Sequence, residues 1–199
     1  MPKQLKYDKI LDALQKLLET KELSNISVSE IAQTAEIGKG SIYYYSSKDA
    51  ILEALVERNY EAPITTARHL AEQREISPFT RMAMIFQACR NSSAAFLKTQ
   101  PSTTKAAPER AFLHQKYMNH LIVSLKPVLA SIIAQDLIRC ADPVSLAEIV
   151  LIVLTVKMDN TLVPSTTDEI ERTISALVSL LEKGTENPVG SLNFLMAQL

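Results

Sequence analysis

SVSEIAQTAEIGKGSIYYYSSKDAIL, Ser27 to Leu52, contains two helix starts, a glycine turn and a run of three tyrosines. Ser27 followed by Glu30 is the capping-box pattern, in which side chains satisfy two orphan backbone donors. Val28, Ile31, Ala32 and Ala35 then share one helical face about two turns long. A helix that short is marginal alone and must pack on neighbours. Glu36 to Ser41 holds two of the chain's 4 glycines within three residues. Such a pair marks a tight turn and lets a backbone come close to another surface. Ser41 to Tyr45 predicts another short helix. Ser46-Ser47-Lys48-Asp49 offers an N-cap for a longer one carrying Ile51, Leu52, Leu55 and Val56.

Working outward, Ile10, Leu11, Leu14, Leu17 and Leu18 fall on one face of an amphipathic helix upstream, with Lys3, Lys6 and Lys9 near its start. That segment is predicted to end near Glu22–Asn25. Three short helices, the last two joined by a glycine turn, are the layout of a helix-turn-helix. The second helix of the pair enters the major groove, and its N-terminal residues meet the bases. From Ile37 through Lys48 there is no acidic residue. Lys39 and Lys48 flank the tyrosines. Every side chain between Gly38 and Tyr45 except Ile42 can bond to phosphate or base edges, or offer an aromatic face. The local field therefore favours DNA, although the chain's net charge is only −1.

Downstream the pattern is helix after helix, predicted at about 78–98, 108–136, 143–161 and 167–183. Pro127 is expected to kink or split the second. Ser77-Pro78, Asp142-Pro143 and the Thr166/Glu169 pair are start signals. Residues 185–199 have weak periodicity and read as a loosely packed tail. Apolar residues make up 47% of the 199, enough for a sizeable core, and scarce glycine argues against an all-β fold. The expected class is all-α: a helix-turn-helix domain over 1–48 and a larger helical domain over 49–199.

The carrying stretch from Ser27 to Tyr45, followed by Ser47-Lys48-Asp49-Ala50-Ile51-Leu52, resembles the TetR/AcrR-type transcription regulators. Its position after one amphipathic helix fits, as do the length and the all-helical remainder. The resemblance is strong across residues 8–58 and architectural beyond. It implies that Ser29 contacts backbone phosphate and that Lys39, Gly40, Ser41, Tyr43 and Tyr44 form the DNA-facing edge. It implies that Lys48 holds a phosphate, and that Ile31, Ala32, Ile37 and Ile42 are core. There are two departures. Glu36 stands where the family usually has Gly, at a turn position that can require positive φ. Tyr45 leads directly into Ser46 where the family has a further Phe, so the connection is one residue short. Tyr45 is then a candidate for the buried anchor, and the register of Tyr43, Tyr44 and Tyr45 is open by one position.

The same resemblance implies that the last two long helices pair with those of a second copy in a four-helix bundle. Residues 144–158 leave hardly any polar face, and such a helix must be covered on all sides. A two-fold operator needs two heads about 34–36 Å apart, which favours a homodimer. The region 60–140 is expected to hold the effector cavity. Met82, Met84, Phe86, Phe96, Phe112, Tyr117 and Met118 lie there among Gln87, Arg90, His114 and His120. Such residues at helical spacing are more often plain core, so no ligand contact is assigned.

Cys89 and Cys140 stand in apolar surroundings and read as reduced thiols. His114 and His120 fall on opposite helix faces and His69 stands alone, so no metal site is expected. No cofactor loop and no nucleophile–base pair occurs, so no enzyme is expected. The N-terminus lacks a signal peptide. The longest apolar run, Ile149–Val156, is interrupted by Thr155 and is too short for a bilayer, so a cytoplasmic protein without a membrane partner is expected. The expected function is a one-component repressor that binds double-stranded operator DNA and is released by a small-molecule effector. The alternative is a helical dimeric module that has lost operator binding, motivated by the near-neutral first 60 residues and the shortened turn.

Overall fold

A computed structural model describes residues 3–38, 40, 42, 45, 47–98, 107–135, 138–158 and 164–198. These form seven α-helices: α1 (Lys3–Leu18), α2 (Val28–Thr34), α3 (Lys48–Glu72), α4 (Pro78–Lys98), α5 (Ala107–Ile133), α6 (Pro143–Met158) and α7 (Thr167–Gly184). Short 3-10 segments run over Leu23–Asn25 and Asn193–Gln198, and no strand occurs among the described residues. The chain is all-α.

Most helix starts are where the capping residues placed them. Ser47 Oγ accepts from Ala50 N at 3.1 Å and opens α3. Ser77 Oγ accepts from Thr80 N at 3.2 Å before α4, and Asp142 Oδ1 accepts from Ser145 N at 3.0 Å before α6. Thr166 and Glu169 form a complete reciprocal box ahead of α7. Ser27 forms only half of one. Its Oγ accepts from Glu30 N at 3.1 Å, but the Glu30 carboxylate pairs with Lys21 instead.

Several expectations are corrected. α1 ends at Leu18, and the Leu23–Asn25 turn intervenes before α2. α5 runs through Pro127 unbroken and stops at Ile133. A first-turn proline needs no special reason, but Pro127 and Pro63 both sit inside helices, so each removes one backbone donor from its ladder. The tail is packed rather than loose: Leu192 and Leu195 are buried, and Phe194 stacks on Phe86 at 6.3 Å.

By its packing the chain divides into two units, Met1–Glu61 with Ser93–Tyr117, and Ala62–Ser92 with Met118–Leu199. In the first, Ile10 and Leu14 of α1 meet Ile26, Ile31, Ile42 and Leu52 in one cluster. Arg58 ties α3 to α1, donating to Asp12 Oδ1 at 2.7 Å and to Gln15 Oε1 at 3.1 Å. In the second, Ile85 and Phe86 of α4, Leu125 and Leu129 of α5, Leu151 of α6 and Ile174 of α7 build the core. Arg81 is 2% exposed within it. Its guanidinium donates to Ala71 C=O at 2.9 Å and to Gln135 Oε1 at 2.7 Å. Ala71 lies in the last turn of α3, where the helix dipole favours a cation.

α6 places its apolar residues on more than one side. Ala147, Val150, Leu151 and Leu154 are buried, whereas Val144, Ile149 and Ile152 are exposed, Ile149 by 51%.

Candidate nucleic-acid interface

The head rests on a core that needs every one of its short elements. Ile31 and Ala32 anchor α2, and Ile42 anchors the segment after the glycine turn; all three are buried, as the resemblance implies, and Ile37 is half-buried against the same cluster. Opposite this core, α2 opens with exposed Ser27, Val28 and Ser29, so Ser29 is available at the helix start.

The turn between the paired helices has a defined hydrogen-bond pattern. Ile37 N donates to Ala32 C=O and Glu36 N to Gln33 C=O, both at 3.1 Å. That is the Schellman arrangement, which requires a left-handed residue just beyond the helix. Glu36 is that residue, with φ 53°. Here glutamate does what glycine usually does.

Gly38 and Gly40 are both exposed, and a Cβ built at either would meet nothing within 4 Å. Neither has a φ in the left-handed region. Internal packing and backbone sign therefore do not demand glycine at either position. Gly40 and Ile42 have 3-10 conformation, and Tyr45 N donates to Ile42 C=O at 3.1 Å. Of the sequence-assigned edge, Ser29 and Gly40 are at the surface. Lys39, Ser41, Tyr43 and Tyr44 lie outside the described residues.

Tyr45 packs edge-on against Tyr7 of α1, with ring centroids 5.3 Å apart. Partial burial and then the neighbouring Tyr7 raise its hydroxyl pKa. It is half-buried against the head's core. Tyr7 was missed by sequence reasoning; the only signal was an aromatic residue one turn before the apolar face of α1.

Lys48 is half-buried. Its Nζ donates to Leu23 C=O at 2.7 Å and to Ile26 C=O at 3.0 Å. A cation in the first turn of a helix opposes the dipole, and these two carbonyls offset that cost. Two of the three ammonium N–H groups are thus engaged within the head. Nothing in the residue spacing announced this tie, because its acceptors are backbone atoms. Nearby, the Lys21 side chain bonds Glu30 and is the main cause of the lowered Glu30 pKa.

Residues 10–55 match the family described as bacterial regulatory proteins, tetR family. The head is similar to that family over this stretch. A curated relative, an uncharacterized HTH-type transcriptional regulator (YvdT) of Bacillus subtilis (strain 168), is 42% identical over 60 residues. That match takes in 29% of this chain and spans only 31% of the relative's length. Among solved structures, a gamma-butyrolactone receptor (ArpA-like protein) superposes with a TM-score of 0.52 at 14% identity. The superposition covers 100% of this chain and 96% of that one, so the likeness in fold extends well past residues 10–55. The reduced form of E. coli NemR has a TM-score of 0.49 at 18% identity, covering 96% and 94% of the two chains.

Proposed function

We propose that the protein is a one-component transcriptional regulator, a repressor that leaves its operator when a small molecule binds. The observation that carries this is the tetR-family match over residues 10–55, together with the acid-free stretch from Gly38 to Ser47, in which Gly38, Gly40 and Ser47 are exposed. The open space at Gly38 and Gly40 suits an external surface that comes close to the backbone.

In this reading Ser29, Lys39, Gly40, Ser41, Tyr43 and Tyr44 meet duplex DNA. Lys48 offers its remaining N–H to phosphate while its other two hold the head together. Residues 1–48 act as the DNA-binding domain and 49–199 as the sensing and dimerising domain. The active form is a homodimer joined through α6 and α7, supported by the exposed Val144, Ile149 and Ile152 on α6 and Leu180 on α7. It works in the cytoplasm. Among the described residues no helix is long and apolar enough to cross a membrane. The effector acts by binding one arrangement of the dimer better than the DNA-bound one.

The test is a fluorescence-anisotropy titration of DNA from the gene's own upstream region at several salt concentrations. Binding should weaken steeply as salt rises, because neutralising phosphates releases counterions. Lys39→Ala and Tyr43→Ala should each reduce affinity by about ten-fold or more, since a good contact is worth about 1–3 kcal/mol. Both should melt at the wild-type temperature. Salt-independent binding, or no binding at all, overturns the reading.

A further inference from the structure

The second unit holds a partly open apolar pocket of about 40 Å³. Met82, Phe86 and Val150 line it on the helix side, and Leu192, Phe194 and Leu195 line the other. The latter all come from the short segment after α7. A space this small has little room for an effector. It enlarges when that segment moves.

The fastening of the segment is unusual. Glu182 of α7 is 5% exposed, and its Oε1 accepts from Gly190 N at 2.9 Å and Leu192 N at 3.0 Å. A second polar clamp is Arg90, which donates to Ala197 C=O at 3.0 Å at the surface. The segment leaves α7 through Glu186, held at φ 52°, and turns at Gly190 with φ 90°. A carboxylate is costly to bury and strongly hydrated when exposed. When the segment lifts, hydration of Glu182 offsets the loss of its two backbone donors. A neutral anchor would recover less. The fastening therefore holds the closed form without making the open form prohibitive.

We infer that residues 188–198 are a strap over an apolar effector site, and that a small uncharged apolar molecule binds by displacing Leu192, Phe194 and Leu195. The physiological meaning rests on the effector reading above, but the site and the strap are tested without DNA. The all-apolar helix side selects against charged ligands, because a buried charge would find no partner there.

The probe is 1-octanol, titrated calorimetrically into the full chain, with amide hydrogen exchange followed in parallel. The expected result is saturable binding of one octanol per chain, with exchange at Gly190 and Leu192 accelerated several-fold while α4 to α7 stay protected. Glu182→Ala, which loosens the closed form, should bind octanol about ten-fold tighter, and Glu182→Gln, a neutral anchor, should bind it several-fold more weakly than the wild type. Unsaturable binding, saturable binding with unchanged exchange at Gly190 and Leu192, or a folded Glu182→Ala chain with unchanged affinity overturns the inference. Should Glu182→Ala fail to fold, the exchange measurement on the unmodified chain decides alone. Failure of octanol to release DNA counts against the effector reading and leaves these observables untouched.

Discussion

Glu36 has φ 53° at the C′ position of a Schellman turn, a conformation that costs an L-residue with a Cβ about 1–2 kcal/mol. Its N–H is satisfied by Gln33 C=O, so the strain lies in the Cβ alone. Glu36→Gly should stabilise the head by about 0.5–1 kcal/mol, since glycine's extra freedom in the unfolded chain cancels part of the gain. A raised urea midpoint at unchanged slope is the result to look for; a lowered midpoint means the side chain has contacts that outweigh the strain. This position was legible only through the family resemblance, which puts glycine where this chain has Glu36. Lys48 was less so, since its partners Leu23 C=O and Ile26 C=O belong to the backbone and leave no trace in side-chain chemistry.

The two cysteines separate at the same scale. Burial pushes the Cys89 thiol up to about 12, and Cys140 is only half-buried. Thiolate is the reactive form. At pH 8 a disulfide reagent should label Cys140 in the native protein and reach Cys89 only after denaturant is added. The sign for stability follows. The folded pKa lies above the unfolded one, near 8.5, so this group's contribution is fully present at neutral pH. It is lost progressively between about pH 9 and 12. Rapid native labelling of both thiols would show that Cys89 is reached by local opening.

At the level of elements, helix starts were readable because side-chain caps are local. Helix ends and the closing segment were not. Asn193–Gln198 is 3-10 helix, too short to show a period, and Phe194 in it packs on Phe86, far away in sequence. The helix is not split at Pro127 for a related reason: one missing donor does not end a helix whose α5 neighbours Leu125, Val128 and Leu129 are buried. The caps also differ in strength. Around Thr166, Glu169 N donates to Thr166 Oγ1 at 3.3 Å and Thr166 N donates to Glu169 Oε2 at 2.8 Å. That backbone bond is the first cause of the lowered Glu169 pKa. Thr166→Ala keeps the backbone half but removes both bonds of the Thr166 hydroxyl, to Glu169 N and to Glu169 Oε2, and should cost about 1 kcal/mol, with about 2 as the upper end. Ser27→Ala removes only the bond from Glu30 N and should cost less. Chemical denaturation of both variants orders them, and the reverse order would show that α2 depends on its cap more than α7 does.

For the whole molecule the open face of α6 decides what the single chain is for. A helix apolar on nearly all sides was evident from residues 144–158, but which of them stay uncovered was not, because that depends on how α6 meets α7. The structure buries Leu151 and Leu154 and leaves Ile149 and Ile152 at the surface, with Leu180 of α7 exposed by 69%. Placing a charge at Ile149 should barely disturb the isolated fold, since exposed substitutions away from special features usually change stability by about 0.5 kcal/mol or less. In a dimer the same charge would be buried without a partner, which is prohibitive. Ile149→Asp is therefore expected to sediment as a folded monomer where the wild type sediments as a dimer. Two linked heads bind about 10²–10⁴ times tighter than one, so its affinity for a two-fold operator should fall by a factor in that range while the salt dependence becomes shallower. A variant that remains dimeric would assign the interface to another surface. A variant that is monomeric yet binds operator at full strength would mean that one head suffices, and the two-fold reading of its DNA site would have to go.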